Sequence, residues 1–314
     1  MEQVNKINQI IGVLGKPYYN NENVLIYNMD CKEGLLKLKE NGIELDSTIT
    51  SPPYNIGKEY ENVLPVESFI DWLVEISDLI YDITKPSGSY LLNVGYLEVP
   101  NMGRAVPITY LVWNRIKFYL NQEIIWNYGA GVAARYYLSP RNEKILWYIK
   151  DKLNYTFNLD DIRDPDVKYP NQKKNGKLRC NTLGKNPSDF WEIIENEFEK
   201  GIFDVPNVKN AHPEKTEHPC QFPVEIAERC VLAFTDEDDW ILDPFGGVGS
   251  TLIASIKNNR KAMSIDRDEK YSNIATQRVC DFFNGNLKLR KIGTPISKPK
   301  KPIATPNQGL HSLF

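Results

Sequence analysis

The sequence has few histidines and no closely spaced pair of cysteines. It contains three histidines, and its five cysteines are far apart, without a Cys-x-x-Cys pair. Structural zinc sites need clustered thiolates and imidazoles, and a disulfide framework needs paired cysteines. We therefore expect reduced thiols in a cytosolic protein and no bound metal.

Long apolar runs and a large excess of one charge are also absent. No stretch approaches the ~18 apolar residues that a membrane helix needs. The first residues lack the basic start and cleavage site of a secretory signal, so we expect a cytoplasmic protein without membrane association. A net charge of −3 argues against non-specific coating of nucleic acid but is compatible with a local basic groove.

What is present is a long alternation of strand and helix patterns. Strand patterns occur at 24–30, 46–50, 89–95, 122–128, 144–150, 238–244 and 261–266. Helical spacing occurs at 31–42, 66–83, 108–119, 221–235, 246–259 and 268–283. The alternation predicts an α/β, Rossmann-like fold with a mainly parallel sheet and helices on both faces. A polar stretch at 158–214, with one short helix predicted at 191–198, interrupts the pattern as an insertion.

A glycine-rich turn follows one of the later strands, in the run Asp243-Pro244-Phe245-Gly246-Gly247-Val248-Gly249-Ser250-Thr251. Glycines let the backbone turn sharply beside a ligand, and free N–H groups at a helix start favour polar ligand groups. Asp266, 23 residues after Asp243, ends the next predicted strand, where a Rossmann-like fold binds ribose hydroxyls. The run lacks the signatures of phosphate loops and dinucleotide sites. An acid directly before the glycines suits a cationic ligand such as S-adenosylmethionine.

A double proline ends an earlier strand, in the run Thr50-Ser51-Pro52-Pro53-Tyr54-Asn55-Ile56-Gly57. Prolines interrupt a strand ladder or a helix, so the chain must form a rigid turn there. Open α/β sheets have their active sites at the carboxyl ends of strands. Alone, the run is explained equally well as a structural turn with an incidental tyrosine. Together with the glycine turn it indicates a catalytic role.

The two runs resemble the signatures of the DNA amino-methyltransferases. In the β group of that family, (Asp/Asn/Ser)-Pro-Pro-(Tyr/Phe) precedes Asp-Pro-Phe-x-Gly-x-Gly-x-Thr, as here. Residues 215–225 resemble the family's segment that closes over the methionine end of the cofactor, and 184–191 resemble the stretch before it. The likeness spans about residues 22–285. It implies a site-specific DNA methyltransferase of a restriction-modification system, with S-adenosylmethionine as cofactor.

The resemblance also implies roles for individual residues. The tetrapeptide Ser51, Pro52, Pro53 and Tyr54 is implied to be catalytic. Asp30, taken to end a strand, occupies the position of an acid near the cofactor's adenine. The implied cofactor-binding residues are Asp30, Cys31, His218, Phe222, Asp243, Pro244, Phe245, Gly246, Gly247, Gly249, Ser250, Thr251, Asp266 and Arg267.

The chemistry of an exocyclic amine explains these residue types. Its lone pair is delocalised into the base, so it must be held in line with the methyl group. The hydroxyl of Ser51 and the carbonyl of Pro52 can accept the two amine hydrogens, and the ring of Tyr54 can stack on a flipped-out base. In the family, serine at this position mostly accompanies N4 of cytosine and aspartate N6 of adenine. We therefore predict N4 of cytosine, with N6 of adenine as the alternative.

Two other functions stay open at this point. The same fold serves methyltransferases of RNA and of protein glutamine, and a nucleic-acid-binding protein could retain a decayed site. The long polar stretch favours DNA, because a sequence reader needs a separate recognition surface. Pro219-Cys220-Gln221 imitates the motif of cytosine-C5 methyltransferases, but its context predicts that Cys220 is a small buried residue and not a nucleophile.

The predicted organisation has four regions. These are a catalytic half at 1–157, a target-recognition region at 158–214, a cofactor-binding half at 215–285 and a basic, disordered tail at 286–314. The expected DNA contacts are Lys173, Lys174, Lys177 and Arg179. The expected partner is double-stranded DNA in the nucleoid, methylated by a monomer or homodimer. A cognate restriction endonuclease would act on the same site without a stable complex.

Overall fold

The computed structural model describes residues 2–58, 62–128, 134–191, 208 and 212–290 of the 314. The helices in this part are α1 (Glu2–Leu14), α2 (Cys31–Glu40), α3 (Val66–Ile83), α4 (Thr109–Val112), α5 (Val224–Phe234), α6 (Ser250–Lys257) and α7 (Glu269–Phe283). The first strands are β1 (Tyr19–Asn20), β2 (Val24–Asn28), β3 (Ser47–Thr50), β4 (Ser89–Val94), β5 (Tyr96–Val99), β6 (Gly103–Pro107) and β7 (Tyr119–Asn127). The remaining strands are β8 (Asn142–Ile149), β9 (Lys173–Lys174), β10 (Lys177–Leu178), β11 (Phe190–Trp191), β12 (Trp240–Asp243) and β13 (Lys261–Asp266).

Within these ranges, nine strands form one sheet in the order β1-β2-β13-β12-β3-β4-β8-β7-β11. The five from β2 to β4 are mutually parallel, whereas β8 runs antiparallel to both of its neighbours. The predicted mainly parallel α/β sheet is confirmed. No helix of the described residues is long and apolar enough to cross a membrane.

The sheet separates two apolar cores. Side chains of a strand point alternately to its two faces, and β4 shows this directly, because Tyr90 and Leu92 belong to one core and Leu91 to the other. The first core receives buried side chains of α1, α2 and α3, and the second those of α5, α6 and α7. All six residues of β4 are buried, as expected for a strand covered on both faces.

Helix α3 has the bounds that its apolar spacing predicts. Its buried side chains recur at three- and four-residue intervals, including Phe69, Leu73, Ile76 and Ile80. The residue before the helix is Pro65, whose fixed φ suits a helix start. Truncating a fully buried residue of this stripe, such as Leu73, to alanine is expected to destabilise the fold by about 2–5 kcal/mol.

Three local predictions are corrected. The helix predicted at 108–119 is only the single turn α4, because Phe118 enters a cluster with the rings of Tyr81, Tyr90 and Tyr148 and the chain joins β7 at Tyr119. Asp30 does not end a strand: β2 ends at Asn28, and the Asp30 carboxylate caps α2 by accepting a hydrogen bond from the backbone N–H of Glu33.

The third correction concerns Trp191, which pairs with β7 as part of β11 instead of starting a helix. The rest of the helix predicted at 191–198 lies outside the described residues, as does the predicted tail beyond 290. At 286–290 the tail predicted to be disordered is instead packed, because Leu287 and Leu289 contact the second core and the buried Arg290 pairs with Glu225. Helix α1 and the antiparallel β5–β6 pair were not predicted.

The topology brings one end of several strands together. The chain leaves β2, crosses to β3 and β4, and much later returns to insert β12 and β13 between β2 and β3. Because these strands are parallel, Asp30, Ser51, Asp243 and Asp266 all lie at one edge of the sheet. Ligands of open α/β sheets bind at such a change in strand order.

Candidate active site

A cleft of roughly 1650 Å³ follows the carboxyl edge of the parallel strands. This is larger than a usual small-ligand pocket of about 300–1000 Å³, so it has room for two ligand groups. Most of the residues predicted from sequence line it: Asp30, Cys31, Ser51, Pro52, Pro53, Tyr54, His218, Phe222, Asp243, Pro244, Phe245, Gly246, Gly247, Ser250, Asp266 and Arg267.

Two predicted cofactor residues lie beneath the glycine turn instead of along the cleft. Gly249 precedes α6 with φ +77°, a left-handed conformation that favours glycine. Thr251 is buried, and its hydroxyl donates to the carbonyl of Ile49 on β3. Both residues hold the conformation of the turn from its buried side, away from the cleft.

The glycine turn packs tightly against the neighbouring strand and opens toward the cleft. A Cβ at Gly246 would lie 2.5 Å from the Cβ of Ser264 on β13, so no side chain fits there. Gly247 has φ +47°, and a Cβ there would lie 3.6 Å from Nε2 of His218 across the turn. The backbone of the turn can therefore approach a ligand closely.

Asp243 is buried at the end of β12, and neighbouring donors fix its carboxylate. Oδ1 accepts hydrogen bonds from the Thr50 hydroxyl at 2.6 Å and from the backbone N–H of Phe245 at 3.1 Å. Burial raises the pKa of Asp243 to about 6, although these bonds oppose the shift. A cationic ligand group would stabilise the charged carboxylate.

Asp266 is fixed by the backbone on both of its oxygens. Oδ2 accepts from the N–H of Gly247 and Oδ1 from the N–H of Asp268, each at 2.8 Å. Burial raises its pKa as well. Since each carboxylate oxygen has two acceptor positions, capacity remains for the hydroxyls of a ligand.

The surrounding side chains suit a nucleoside with a cationic end. Trp72 and Phe245 both line the cleft, with ring centroids 5.5 Å apart, and offer apolar faces. Burial lowers the pKa of His218 to about 4, so this ring is neutral, and it packs on Tyr271 at 4.6 Å. Burial raises the pKa of Cys31 to about 12 and keeps it a thiol. Aromatic faces, two carboxylates and a glycine turn together fit S-adenosylmethionine.

A second group of polar side chains surrounds the double-proline turn. The Tyr54 hydroxyl lies 3.0 Å from Ser51 Oγ and 3.0 Å from Glu143 Oε2. The two hydrogens of Asn93 Nδ2 are shared among three acceptors: the Tyr54 hydroxyl at 2.7 Å, Glu143 Oε2 at 2.7 Å and Ser51 Oγ at 3.3 Å. The Tyr128 hydroxyl donates to Glu143 Oε1 at 3.2 Å. We call Ser51, Tyr54, Asn93, Tyr128 and Glu143 the amine-site network.

Sequence reasoning missed three members of this network. Asn93 and Tyr128 stand inside predicted strand patterns, and Glu143 directly precedes one, so none belongs to a motif. One sequence feature could have indicated Asn93: it is a polar residue near the end of the strand SYLLNV, whose other late residues are apolar. The motif predicted a role for Tyr54 only through its ring, whereas its hydroxyl also forms hydrogen bonds.

Cys220 is exposed at the cleft, so the prediction that it is buried was wrong. The neighbouring Gln221 is buried instead, because its amide accepts from Thr216 and donates to the carbonyl of Glu214. The backbone N–H of Cys220 donates to Nδ1 of His218, which orients that ring. No group of three or more potential metal ligands occurs in the described ranges.

The four cations predicted to contact DNA lie together on one hairpin away from the cleft. Lys173 and Lys174 form β9, and Lys177 begins β10. The turn between them has positive φ at both Asn175 and Gly176, as a two-residue hairpin turn requires. Arg179 follows β10 and donates to Gln172. All four cations are exposed.

Comparison with known proteins agrees with this geometry. The DNA methylase family of N6 and N4 methyltransferases matches residues 45–277. The chain belongs to this family. This DNA methyltransferase is 50% identical over 266 residues to the type II methyltransferase M.ScaI of Streptomyces caespitosus, covering 85% of this chain and 84% of that protein.

It is also 35% identical over 260 residues to the type II methyltransferase M.BglII of Bacillus subtilis, covering 80% of this chain and 68% of the relative. The fold matches the PvuII DNA methyltransferase (cytosine-N4-specific) with a TM-score of 0.64 and 17% identity, over 87% of this chain and 95% of that one. The protein is thus an S-adenosylmethionine-dependent DNA amino-methyltransferase of the restriction-modification type.

Proposed function

We propose that the protein transfers a methyl group from S-adenosylmethionine to N4 of a flipped-out cytosine within a specific sequence of double-stranded DNA. The observation that carries this proposal is the bond between Thr50 and Asp243. It links the residue directly before Ser51 to the acid before the glycine turn. The amine site and the cofactor site therefore open side by side on one cleft.

The residues of the double-proline turn would hold the amine. Ser51 Oγ and the Pro52 carbonyl accept its two hydrogens, which turns the nitrogen lone pair toward the methyl group. The prolines fix the direction of that carbonyl. The Tyr54 ring lines the cleft and can stack on the extruded base, a contact worth about 1–3 kcal/mol.

The choice of N4 of cytosine rests on serine at position 51, which in this family mostly accompanies cytosine. The alternative is N6 of adenine, since the DNA adenine methyltransferase YhdJ of Escherichia coli is 29% identical over 266 residues. Both amines present two hydrogens in similar geometry, so the same network could serve either base.

The remaining assignments follow the same proposal. Residues 1–157 and 215–285 form the catalytic and cofactor halves of one domain, and 158–214 read the DNA sequence. Lys173, Lys174, Lys177 and Arg179 contact phosphates from their hairpin. The protein acts on the nucleoid in the cytoplasm, as a monomer or homodimer. A restriction endonuclease of the same specificity acts separately.

The test is to express the protein in a host free of DNA methylation, digest the DNA to nucleosides and analyse them by mass spectrometry. N4-methylcytosine should accumulate, and an Asp243→Ala variant, which cannot bind the cofactor, should give none. Accumulation of N6-methyladenine alone would reject the choice of base. Absence of both modified nucleosides, with the purified protein also inactive on duplex DNA, would reject the proposed function.

A further inference from the structure

Glu143 is an acid that reaches the cleft from the antiparallel strand β8 and not from one of the parallel strands. Strand β8 runs antiparallel to β4, so its first residues lie beside the carboxyl end of β4. Asn142, at the start of β8, pairs with Asn127 of β7, and Glu143 pairs with Trp126. An acid at the beginning of this strand thus reaches the edge where the parallel strands end.

The hydrogen bonds around Glu143 determine which hydroxyl donates and which accepts in each contact of the network. Its carboxylate accepts from the Tyr54 hydroxyl and from Asn93 Nδ2 on one oxygen, and from the Tyr128 hydroxyl on the other. Since Tyr54 donates its only hydroxyl proton to Glu143, the contact between Ser51 and Tyr54 must use the proton of Ser51.

With these donors assigned, the oxygen of Ser51 can accept a hydrogen bond from a group in the cleft. Its proton points to Tyr54, and one oxygen lone pair accepts from Asn93 Nδ2. The second lone pair is available to a hydrogen of the target amine. The other acceptor near the Tyr54 hydroxyl, the Asn93 carbonyl, is more distant at 3.4 Å than Glu143 at 3.0 Å.

We propose that Ser51, Tyr54 and Glu143 form a proton relay that takes up the proton released when the amine is methylated. This rests on the proposed function. As the new C–N bond forms and the S–C bond breaks, the nitrogen becomes cationic and still holds two hydrogens. One passes to Ser51 Oγ while the proton of Ser51 moves to Tyr54 and that of Tyr54 to Glu143. The products are a neutral methylamino base, a thioether and a protonated Glu143, which later releases its proton to solvent.

Glu143 is the carboxylate of the relay, and several charged or titratable groups surround it. Those around it are Tyr54 after β3, Tyr128 after β7 and Tyr96 on β5, with Arg141 and Lys144 along its own chain segment. Burial and the charge of Glu143 raise the pKa of Tyr54 well above its usual value, so Tyr54 stays protonated. Glu143 acts through Tyr54 and Ser51 and is a positioning residue that does not itself touch the base.

The experiment measures single-turnover methyl transfer to duplex DNA from pH 5 to 9 at saturating S-adenosylmethionine. Glu143→Gln should slow transfer about 100-fold near neutrality, as loss of general base catalysis does. The fall of the parent's rate at low pH should disappear in this variant. Tyr54→Phe keeps the ring, breaks the relay one step earlier and should show the same two changes. The Glu143→Gln/Tyr54→Phe double variant should be no slower than either single variant.

Readouts other than activity separate the relay from a structural role. S-adenosylmethionine affinity by calorimetry and extrusion of a fluorescent base analogue at the target should stay within a few-fold of the parent. Tyr128→Phe removes a hydroxyl bonded to Glu143 but outside the relay, so it should slow transfer less and retain the low-pH fall.

An unchanged rate and pH profile in Glu143→Gln would overturn the relay, as would a double variant whose losses multiply. If Glu143→Gln does not fold, Tyr54→Phe decides by the same criteria. If the parent protein methylates DNA and these variants behave like the parent, the relay is rejected and the proposed function stands. A parent without methyl transfer rejects the proposed function.

Discussion

The two halves of the cleft are constructed differently. On the cofactor side, carboxylates are held by backbone groups close in sequence: Asp266 by Gly247 and Asp268, and Asp243 in part by Phe245. On the amine side, Tyr54 is held by side chains 39 and 89 residues away, those of Asn93 and Glu143. A local turn orients the first set, and the packing of the whole sheet orients the second.

This difference has consequences for substitutions. Apart from proline, a substitution leaves the backbone N–H donor in place, so the cofactor side should respond mainly to loss of its carboxylates. The hydrogen bonds of the amine-site network join side chains, apart from the longer one from Tyr54 to the backbone carbonyl of Asn93, so single changes there should spread through the network. Cofactor affinity and methyl-transfer rate should therefore be separable.

The largest effect is expected at Asp243. Asp243→Asn keeps the shape and an acceptor for Thr50 and Phe245 but removes the charge, and S-adenosylmethionine affinity should fall by more than about 100-fold. The folded pKa of about 6 lies above the unfolded value, so the stability that protonation provides is lost as the pH rises between about 4 and 6. At pH 7.5 the asparagine variant should thus melt no lower than the parent.

Calorimetry and thermal melting together check this expectation. Unchanged cofactor affinity would remove Asp243 from the cofactor site. A strongly lowered melting temperature would show that the charged carboxylate stabilises the turn, contrary to the raised pKa.

Most of the fold and the cofactor side could be predicted from the sequence because their signals are local. The spacing in α3 and the glycine run before α6 each lie within 20 residues, and the structure confirms both elements. The family resemblance supplied the double-proline turn. The partners of that turn could not be predicted, since only the pairing of β8 with β4 brings Glu143 to Asn93. The extent of α4 also depended on distant aromatic packing at Phe118.

A smaller loss of affinity is expected at Asp266. Asp266→Ala removes the acceptor for ligand hydroxyls, and charged hydrogen bonds of this kind contribute about 1.5–3 kcal/mol, or roughly 10- to 100-fold in affinity. At saturating cofactor the methyl-transfer rate should change little, because the amine-site network is intact. Titration calorimetry with single-turnover rates tests both statements. A lowered saturated rate with unchanged affinity would contradict the division between the two sides.

Gly95→Ala should have the opposite effect, because it disturbs the amine-site network and leaves the cofactor side unchanged. A Cβ there would lie 3.0 Å from Cε2 of Tyr54, so the ring must shift within its network. We expect about a 10-fold slower methyl-transfer step at saturating cofactor, with cofactor affinity unchanged. Gly12→Ala, where a Cβ meets nothing within 4 Å, is the matched control. Equal rates for both variants would mean that the position of Tyr54 is not limiting.

Cofactor binding should also depend on pH through Asp243. If the cation binds only the charged carboxylate, a pKa of about 6 lowers the affinity about 10-fold at pH 5 relative to pH 7.5, with proton release on binding. The charge of Asp266 contributes to that raised pKa, so the midpoint should move to lower pH in Asp266→Ala. Calorimetry in two buffers of different ionisation enthalpy measures the protons released. Affinity independent of pH between 5 and 7.5 would exclude a direct contact between Asp243 and the cation.

The smallest effect is expected outside the cleft, on the hairpin. Lys173→Ala combined with Lys174→Ala should weaken duplex binding a few-fold and leave cofactor affinity unchanged. The slope of log affinity against log salt concentration should decrease by the amount that about two phosphate contacts contribute. Lys37→Ala with Lys39→Ala on α2 removes the same charge from surface lysines that pair with acids, and should leave the salt slope intact. Binding measured between 50 and 200 mM salt, about the range over which such contacts weaken, distinguishes the pairs. Equal slopes for both would make the hairpin a solvated surface, and sequence reading would then have to come from other parts of 158–214.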